Sequence, residues 1–191
     1  MSDKIRSLIQ SSIDVKTGLL NDPEMLSKMH EVVDVLVAAF KNGNRVFFCG
    51  NGGSAADAQH LAAELSGRFY LNREALPAEA LHCNTSYLTA VANDYSFDMI
   101  YARLIKGITI KGDVLLGFST SGNSANILKA FETAKEKSVV TIGFTGASGG
   151  ALKSYSNYLF NVPSTDTPRI QESHILIGHI ICQLVEEQYF S

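Results

Sequence analysis

From residue 44 onward the chain alternates short, almost wholly apolar runs with longer segments whose apolar residues recur at helical spacing. The runs near 45–49, 79–83, 113–118, 139–144 and 158–162 are rich in Val, Ile, Leu and Phe. Strands apolar on both faces are buried on both faces, as in a parallel sheet covered by helices. Between them, the spacing predicts helices over 54–67, 86–106, 125–137 and 149–154. Two more helices precede the sheet. The first, over 3–20, carries Ile5, Leu8, Ile9, Ile13 and Leu20 at irregular helical spacing. The second starts at Asp22-Pro23-Glu24, an N-cap, a proline in the first turn and an acid that favours the dipole, and it ends at Gly43. Strand-helix alternation of this kind predicts an α/β domain: a five-stranded parallel sheet in a flavodoxin-like three-layer αβα sandwich with N-terminal helices. Any ligand would sit at the carboxyl ends of the strands.

The last predicted helix, 167–188, is apolar nearly all the way round: Ile170, Ile175, Leu176, Ile177, Ile180, Ile181, Leu184 and Val185 leave no wide polar face. Such a helix is buried on most sides. One layer over one sheet does not easily enclose it, so part of it is expected to pack against another subunit. Its polar residues Gln171, Glu172, His174 and His179 then need partners inside the protein or on a ligand. His174 shares the Ile170–Ile177 face and reads as a hydrogen-bonded core histidine; His30 and His82 show no partner at any sequence spacing.

Bulk properties exclude more than they assign. At 191 residues and 46% hydrophobic, the chain fits one domain with a substantial core. A net charge of -3 without a Lys/Arg stripe argues against nucleic acid. No stretch approaches the roughly 20 apolar residues of a membrane span, and charges interrupt 1–20, so neither a membrane nor a secretory signal is expected. Cys49, Cys83 and Cys182 lack any C-x-x-C spacing and read as reduced, buried thiols of a cytoplasmic protein.

Candidate chemistry lies in two strand-to-helix loops. The first is Gly50-Asn51-Gly52-Gly53-Ser54, followed by an alanine-rich helix; the second is Ser119-Thr120-Ser121-Gly122-Asn123-Ser124, with a helix from Ala125. Loops of this kind present N–H groups and hydroxyls where a helix dipole is positive, which suits a phosphate. The first loop fits a G-x-G-x-x-A dinucleotide fingerprint, but the second strand ends in Leu81-His82-Cys83-Asn84 without the acid a ribose would need. Neither loop holds the Gly-Lys-Ser/Thr of a P-loop. The second loop carries four hydroxyls in six residues, more than one helix cap requires. His60 and Glu64, four apart, share one helix face with Asp57, while Ala58, Leu61, Ala62 and Leu65 form the buried side. That stripe begins one turn beyond the glycine loop, so His60 and Glu64 can share a divalent metal or supply acid and base to whatever the loop binds.

Together these motifs resemble a known family. The run from Gly50 to His60, then Ala63-Glu64-Leu65-Ser66-Gly67-Arg68, Asn93-Asp94, the run from Ser119 to Ser124, and Arg169-Ile170-Gln171-Glu172 with His179 are similar to the sedoheptulose 7-phosphate isomerases of the sugar isomerase (SIS) domain superfamily. The likeness covers nearly the whole chain. It implies a single SIS domain over 1–191, with 1–43 used in oligomerisation, and a homotetramer with active sites between subunits. The implied activity is conversion of sedoheptulose 7-phosphate to D-glycero-D-manno-heptose 7-phosphate, the first step towards the ADP-heptose of lipopolysaccharide or capsule. Metal ligands, zinc being the expected ion, fall on His60, Glu64, Gln171 and His179. Substrate contacts fall on Asn51, Gly52, Gly53, Ser54, Glu64, Arg68, Asn93, Asp94, Ser119, Thr120, Ser121, Ser124 and Gln171. Pro168 stands where some members carry an acid. A non-catalytic SIS phosphosugar-binding or replication-initiator-associating protein is the alternative; such a protein lacks the metal-site Glu and the final His that this chain keeps.

A ketose becomes an aldose by moving a proton from C1 to C2 through an enediol while another moves between O1 and O2. Glu64 is the expected carbon base and His179 the shuttle, with the two roles exchangeable. Arg68 either attracts the phosphate or pairs with Asp94. On one regular helix the α-carbons of Gln171 and His179 are roughly 12 Å apart. Either one ligand comes from a neighbouring subunit, or Gln171 precedes the regular helix.

Overall fold

The computed structural model describes residues 2–191, as two N-terminal helices followed by an alternating α/β domain. Helix α1 spans Ser2–Leu20 and α2 spans Pro23–Lys41. Strand β1 (Val46–Gly50) leads into α3 (Gly53–Ser66), and β2 (Ala78–Ala80) is followed by α4 (Thr85–Asp94) and α5 (Ile100–Ile108). Strand β3 (Val114–Phe118) leads into α6 (Ala125–Glu136). Strands β4 (Val140–Thr145) and β5 (Tyr158–Asn161) precede the final helix α7 (Thr167–Tyr189). All five strands pair in parallel in the order β2-β1-β3-β4-β5, the flavodoxin-like order expected. The order reverses between β1 and β3, and the glycine and hydroxyl loops leave the sheet at their two carboxyl ends. Side by side, they flank the crevice where open α/β sheets bind ligands.

The pleat divides the core. Val46, Phe48, Val114, Leu116, Ile142 and Phe144 face α2, α3 and α7, while Phe47, Cys49 and Leu115 face α5 and α6. Asp22 caps α2 as expected, its carboxylate accepting from Met25 N–H at 3.0 Å, and Gly43 supplies the positive φ after its end.

Three expectations need correction. The stretch 86–106 is two helices: Ser96 is extended (φ -170°, ψ 162°), in a Asn93-Asp94-Tyr95-Ser96 run whose short polar side chains compete for backbone bonds and favour leaving a helix. The segment predicted as a helix over 149–154 is one short 3-10 stretch, Ala151–Tyr155. Strand β2 stops at Ala80, so Cys83 lies beyond it and is exposed, whereas Cys49 and Cys182 are buried. Within the chain α7 lies between α2 and α3 with α1 beside it. Gly178 lets it approach closely: a Cβ there would stand 2.4 Å from Leu61 Cδ1. Leu176 and Ile180 remain at an apolar groove with Leu19, Leu20, Leu26 and Met29.

Candidate active site

Helices α3 and α7 run side by side in the same direction, with Gln171 against Gly53, Gly178 against Leu61, and Cys182 against the Leu61 carbonyl. This arrangement brings His179 to the face of α3 that carries His60 and Glu64. His60 Nε2 lies 3.0 Å from Glu64 Oε1 and 3.2 Å from His179 Nε2. One ligand atom from each residue falls within 4.8 Å of the other two. A single proton on His60 Nε2 cannot serve both neighbours well, whereas a cation accepting lone pairs from two imidazoles and a carboxylate satisfies all three. The donor set therefore fits a metal of zinc type. Burial first, then the nearby His60, lowers the pKa of His179, and Glu64 opposes them. A neutral imidazole is the form that ligates metal or accepts a proton. One turn before His60, Asp57 has its carboxyl pushed up to about 6 by burial, against the pull of His60, and its Oδ2 is buried without a hydrogen-bond partner.

His60 and Glu64 open onto a cleft of about 650 Å³ shared with Ala56, Gln59, Ala63, Gly67 and Arg68. A second cleft, of about 290 Å³, lies at the carboxyl ends of β3 and β4; Thr120, Ser121, Ser148, Ser164, Thr165 and Thr167 line it with hydroxyls. Its main turn is held by backbone. Gly146 N–H donates to the Thr120 carbonyl at 2.9 Å, Leu152 N–H to the Gly122 carbonyl at 2.9 Å, and Ala151 N–H to Asn123 Oδ1 at 2.9 Å. Ser124 makes no side-chain cap for α6; its hydroxyl instead meets Ser119 Oγ at 2.9 Å. The hydroxyl run is thus not explained by capping.

Comparison with known proteins agrees with this architecture. The SIS domain family profile matches residues 21–146. The chain is 50% identical over 190 residues to the phosphoheptose isomerase of Aneurinibacillus thermoaerophilus, covering 100% of this chain and 96% of the relative. With a phosphoheptose isomerase of Mycobacterium bovis it shares 52% over 180 residues, 94% of this chain and 92% of that one. The chain belongs to the phosphoheptose isomerase family of SIS-domain enzymes. A solved phosphoheptose isomerase from Francisella tularensis superposes with a TM-score of 0.92 at 38% identity, covering 97% of each chain. One from Neisseria gonorrhoeae gives 0.91 at 36%, covering 97% of this chain and 98% of that one.

Against the family pattern, the chain groups its candidate residues unevenly. Gln171 lies inside the regular helix α7, which removes the alternative that it precedes that helix. Its amide is beside Gly53, where a Cβ would stand 2.9 Å from it, so it faces the glycine loop rather than the His60 trio. Asn51 spends its side chain on Asn126: the two amides exchange hydrogen bonds at 2.9 and 2.8 Å. Gly52 holds φ +55° before α3, and Ser54 is buried in the first turn. Asn93 and Asp94 sit exposed at the end of α4, bonded to each other at 2.9 Å, and line neither cleft. Arg68 makes no ion pair with Asp94 among the described residues and instead borders the His60 cleft. His174 is a core histidine as expected, its Nε2 3.2 Å from the Thr145 carbonyl.

Three contributors escaped the sequence. Asn126 looked like any first-turn residue of α6, yet it is 2% exposed and locks the glycine loop. Tyr101 donates its hydroxyl to the Gly50 carbonyl at 2.5 Å, fixing the end of β1. Ser164, Thr165 and Thr167 form a further hydroxyl-rich stretch before a helix, a signal of the same kind as the β1 and β3 loops.

Proposed function

We propose that this chain isomerises sedoheptulose 7-phosphate to D-glycero-D-manno-heptose 7-phosphate through an enediol, as the first step towards ADP-heptose for lipopolysaccharide or capsule. The observation that carries the reading is the convergence of Glu64, His60 and His179 beside an open cleft. The hydroxyl-lined turn at the carboxyl end of β3 offers neutral donors and a helix N-terminus to the distal phosphate through Ser119, Thr120, Ser121 and Ser124.

His60, Glu64 and His179 would hold a zinc ion, with Gln171 as the further ligand that the family pattern implies. Bound there, zinc contributes a Lewis acid that steadies negative charge on the sugar oxygens. Glu64 turns Oε1 to His60 and has Oε2 left to take the proton from carbon. His179, its pKa lowered by burial and by His60, would move the proton between O1 and O2 through Nδ1, the ring nitrogen left when Nε2 binds the ion. Arg68, at the border of the same cleft, adds positive charge there for an anionic sugar phosphate. Retention of both Glu64 and His179 favours an enzyme over a non-catalytic SIS binding protein.

Assembly as a homotetramer, with 1–43 in the contacts, is supported by α1, where Ile5, Leu8, Ile9 and Ile13 are each about half exposed along one stretch. A cytoplasmic location fits a phosphorylated substrate, and no helix among the described residues is long and apolar enough to cross a membrane. The test is incubation with sedoheptulose 7-phosphate while following the aldose C1 proton by NMR. Appearance of the aldose supports the reading; binding without conversion would move the assignment to the non-catalytic alternative.

A further inference from the structure

The loop that follows α3 is tied to α7 by a buried ion pair that no proton transfer uses. The side chains of Arg73 and Glu186 are 3% and 1% exposed. Glu186 accepts the backbone N–H groups of Phe69, Tyr70 and Leu71 at 3.1, 2.8 and 2.8 Å, and Arg73 Nε at 2.9 Å. Arg73 donates onward to the carbonyls of Glu64 at 2.8 Å, Leu65 at 2.7 Å and Gly67 at 3.1 Å. Those carbonyls belong to the end of α3, where helix carbonyls have no partners of their own. Burial by itself would raise the Glu186 pKa; the three backbone donors and Arg73 outweigh it and hold the carboxyl below its usual range.

A buried ion pair is costly to desolvate and is often no more stabilising than apolar side chains in the same space, so stability alone is a poor account of this one. Its placement supplies a better account. The pair joins three things: the turn of α3 that carries Glu64, the helix that carries His179, and the segment 67–71. That segment brings Gly67 and Arg68 to the cleft and sets the Phe69 ring 5.7 Å from the His179 ring.

We propose that Arg73 and Glu186 are positioning residues that hold Glu64, His179 and Arg68 in their working arrangement. The inference rests on the isomerase reading of the cleft. Both residues act through others, since neither lines the cleft of Glu64 and Arg68.

The test compares Glu186→Gln with Val185→Ala, a core truncation on the neighbouring position of α7 that is fully buried and has no polar group to join this network. For each, kcat and KM for sedoheptulose 7-phosphate, zinc affinity by competition with a chromophoric chelator, and Tm are measured. Glu186→Gln is expected to lower kcat and zinc affinity by roughly tenfold or more, with KM moved by less than about threefold. Val185→Ala lowers Tm and leaves the other quantities near wild type. Should Glu186→Gln not fold, Arg73→Lys carries the same comparison, because one ammonium cannot serve the carboxylate and three carbonyls together. A variant that loses Tm like Val185→Ala while keeping wild-type kcat and zinc affinity overturns the proposal. An inactive wild type would instead overturn the isomerase reading, and the zinc titration would still judge the ion pair.

Discussion

The Nε2 atoms of His60 and His179 face each other at 3.2 Å, although 119 residues separate them in the chain. Two imidazoles in that relation, with a carboxylate oxygen 3.0 Å from one of them, are arranged for a cation. Zinc at about one hundred times its Kd is therefore expected to stabilise the protein by roughly 2.7 kcal/mol. Thermal unfolding with zinc and with a chelator measures this gain, and His179→Gln should remove most of it. An equal zinc response in that variant would rule out His179 as a ligand.

Glu64→Gln is expected to reduce turnover by about two to four orders of magnitude, the range for loss of a general base. Without zinc its Tm should change little, because the side chain is 22% exposed at the cleft and its one hydrogen bond is to His60. Single-turnover rates and calorimetry on the same samples check both parts. Near-normal turnover would remove Glu64 from the role of base.

Gly122 has φ +68°, and a Cβ there would stand 2.1 Å from the Gly149 carbonyl oxygen. Gly122→Ala forces apart the backbone that holds the hydroxyl turn against the β4 loop, beyond the roughly 1–2 kcal/mol cost of the left-handed conformation. The expected signature is a lower Tm together with a raised KM for the phosphosugar and a weaker response to inorganic phosphate. A variant with unchanged KM would show that this turn does not grip the phosphate.

His174 is fully buried between Phe118 and Phe144, and burial lowers its pKa to about 4, opposed by its bond to the Thr145 carbonyl. In the unfolded chain the same imidazole titrates near 6.5. Between those values the unfolded state binds more protons, so stability falls as the pH drops from about 6.5 towards 4. The contribution reaches roughly 2–3 kcal/mol at pH 4.5. His174→Phe, which cannot titrate, should flatten the urea-unfolding difference between pH 7 and 4.5 by about that amount.

Much of this was legible in the residues because it is local. Alternating apolar runs and helical spacing specify a parallel sheet covered on both faces, and the β1 and β3 loops announce themselves by glycine and hydroxyl content. His60 and Glu64 share a face through helical geometry alone, and the 0–5% exposure of Ala58, Leu61, Ala62 and Leu65 on the other side follows from the same period. Period also explains the limits. It says which side of α7 is apolar but not which neighbour that side meets: α2 and α3 supply most of the cover, and Leu176 and Ile180 are left at an apolar groove.

Only the tertiary structure set α7 parallel to α3 at the spacing Gly178 permits, and that placement decided which polar residues meet. It put His179 with His60 and Glu64, Gln171 with Gly53, Asn51 with Asn126, and Arg73 with Glu186. Each of these pairings joins residues far apart in the chain. The physical reason is that sequence periodicity encodes the faces of each element, whereas the contact between two faces depends on close packing across the whole core.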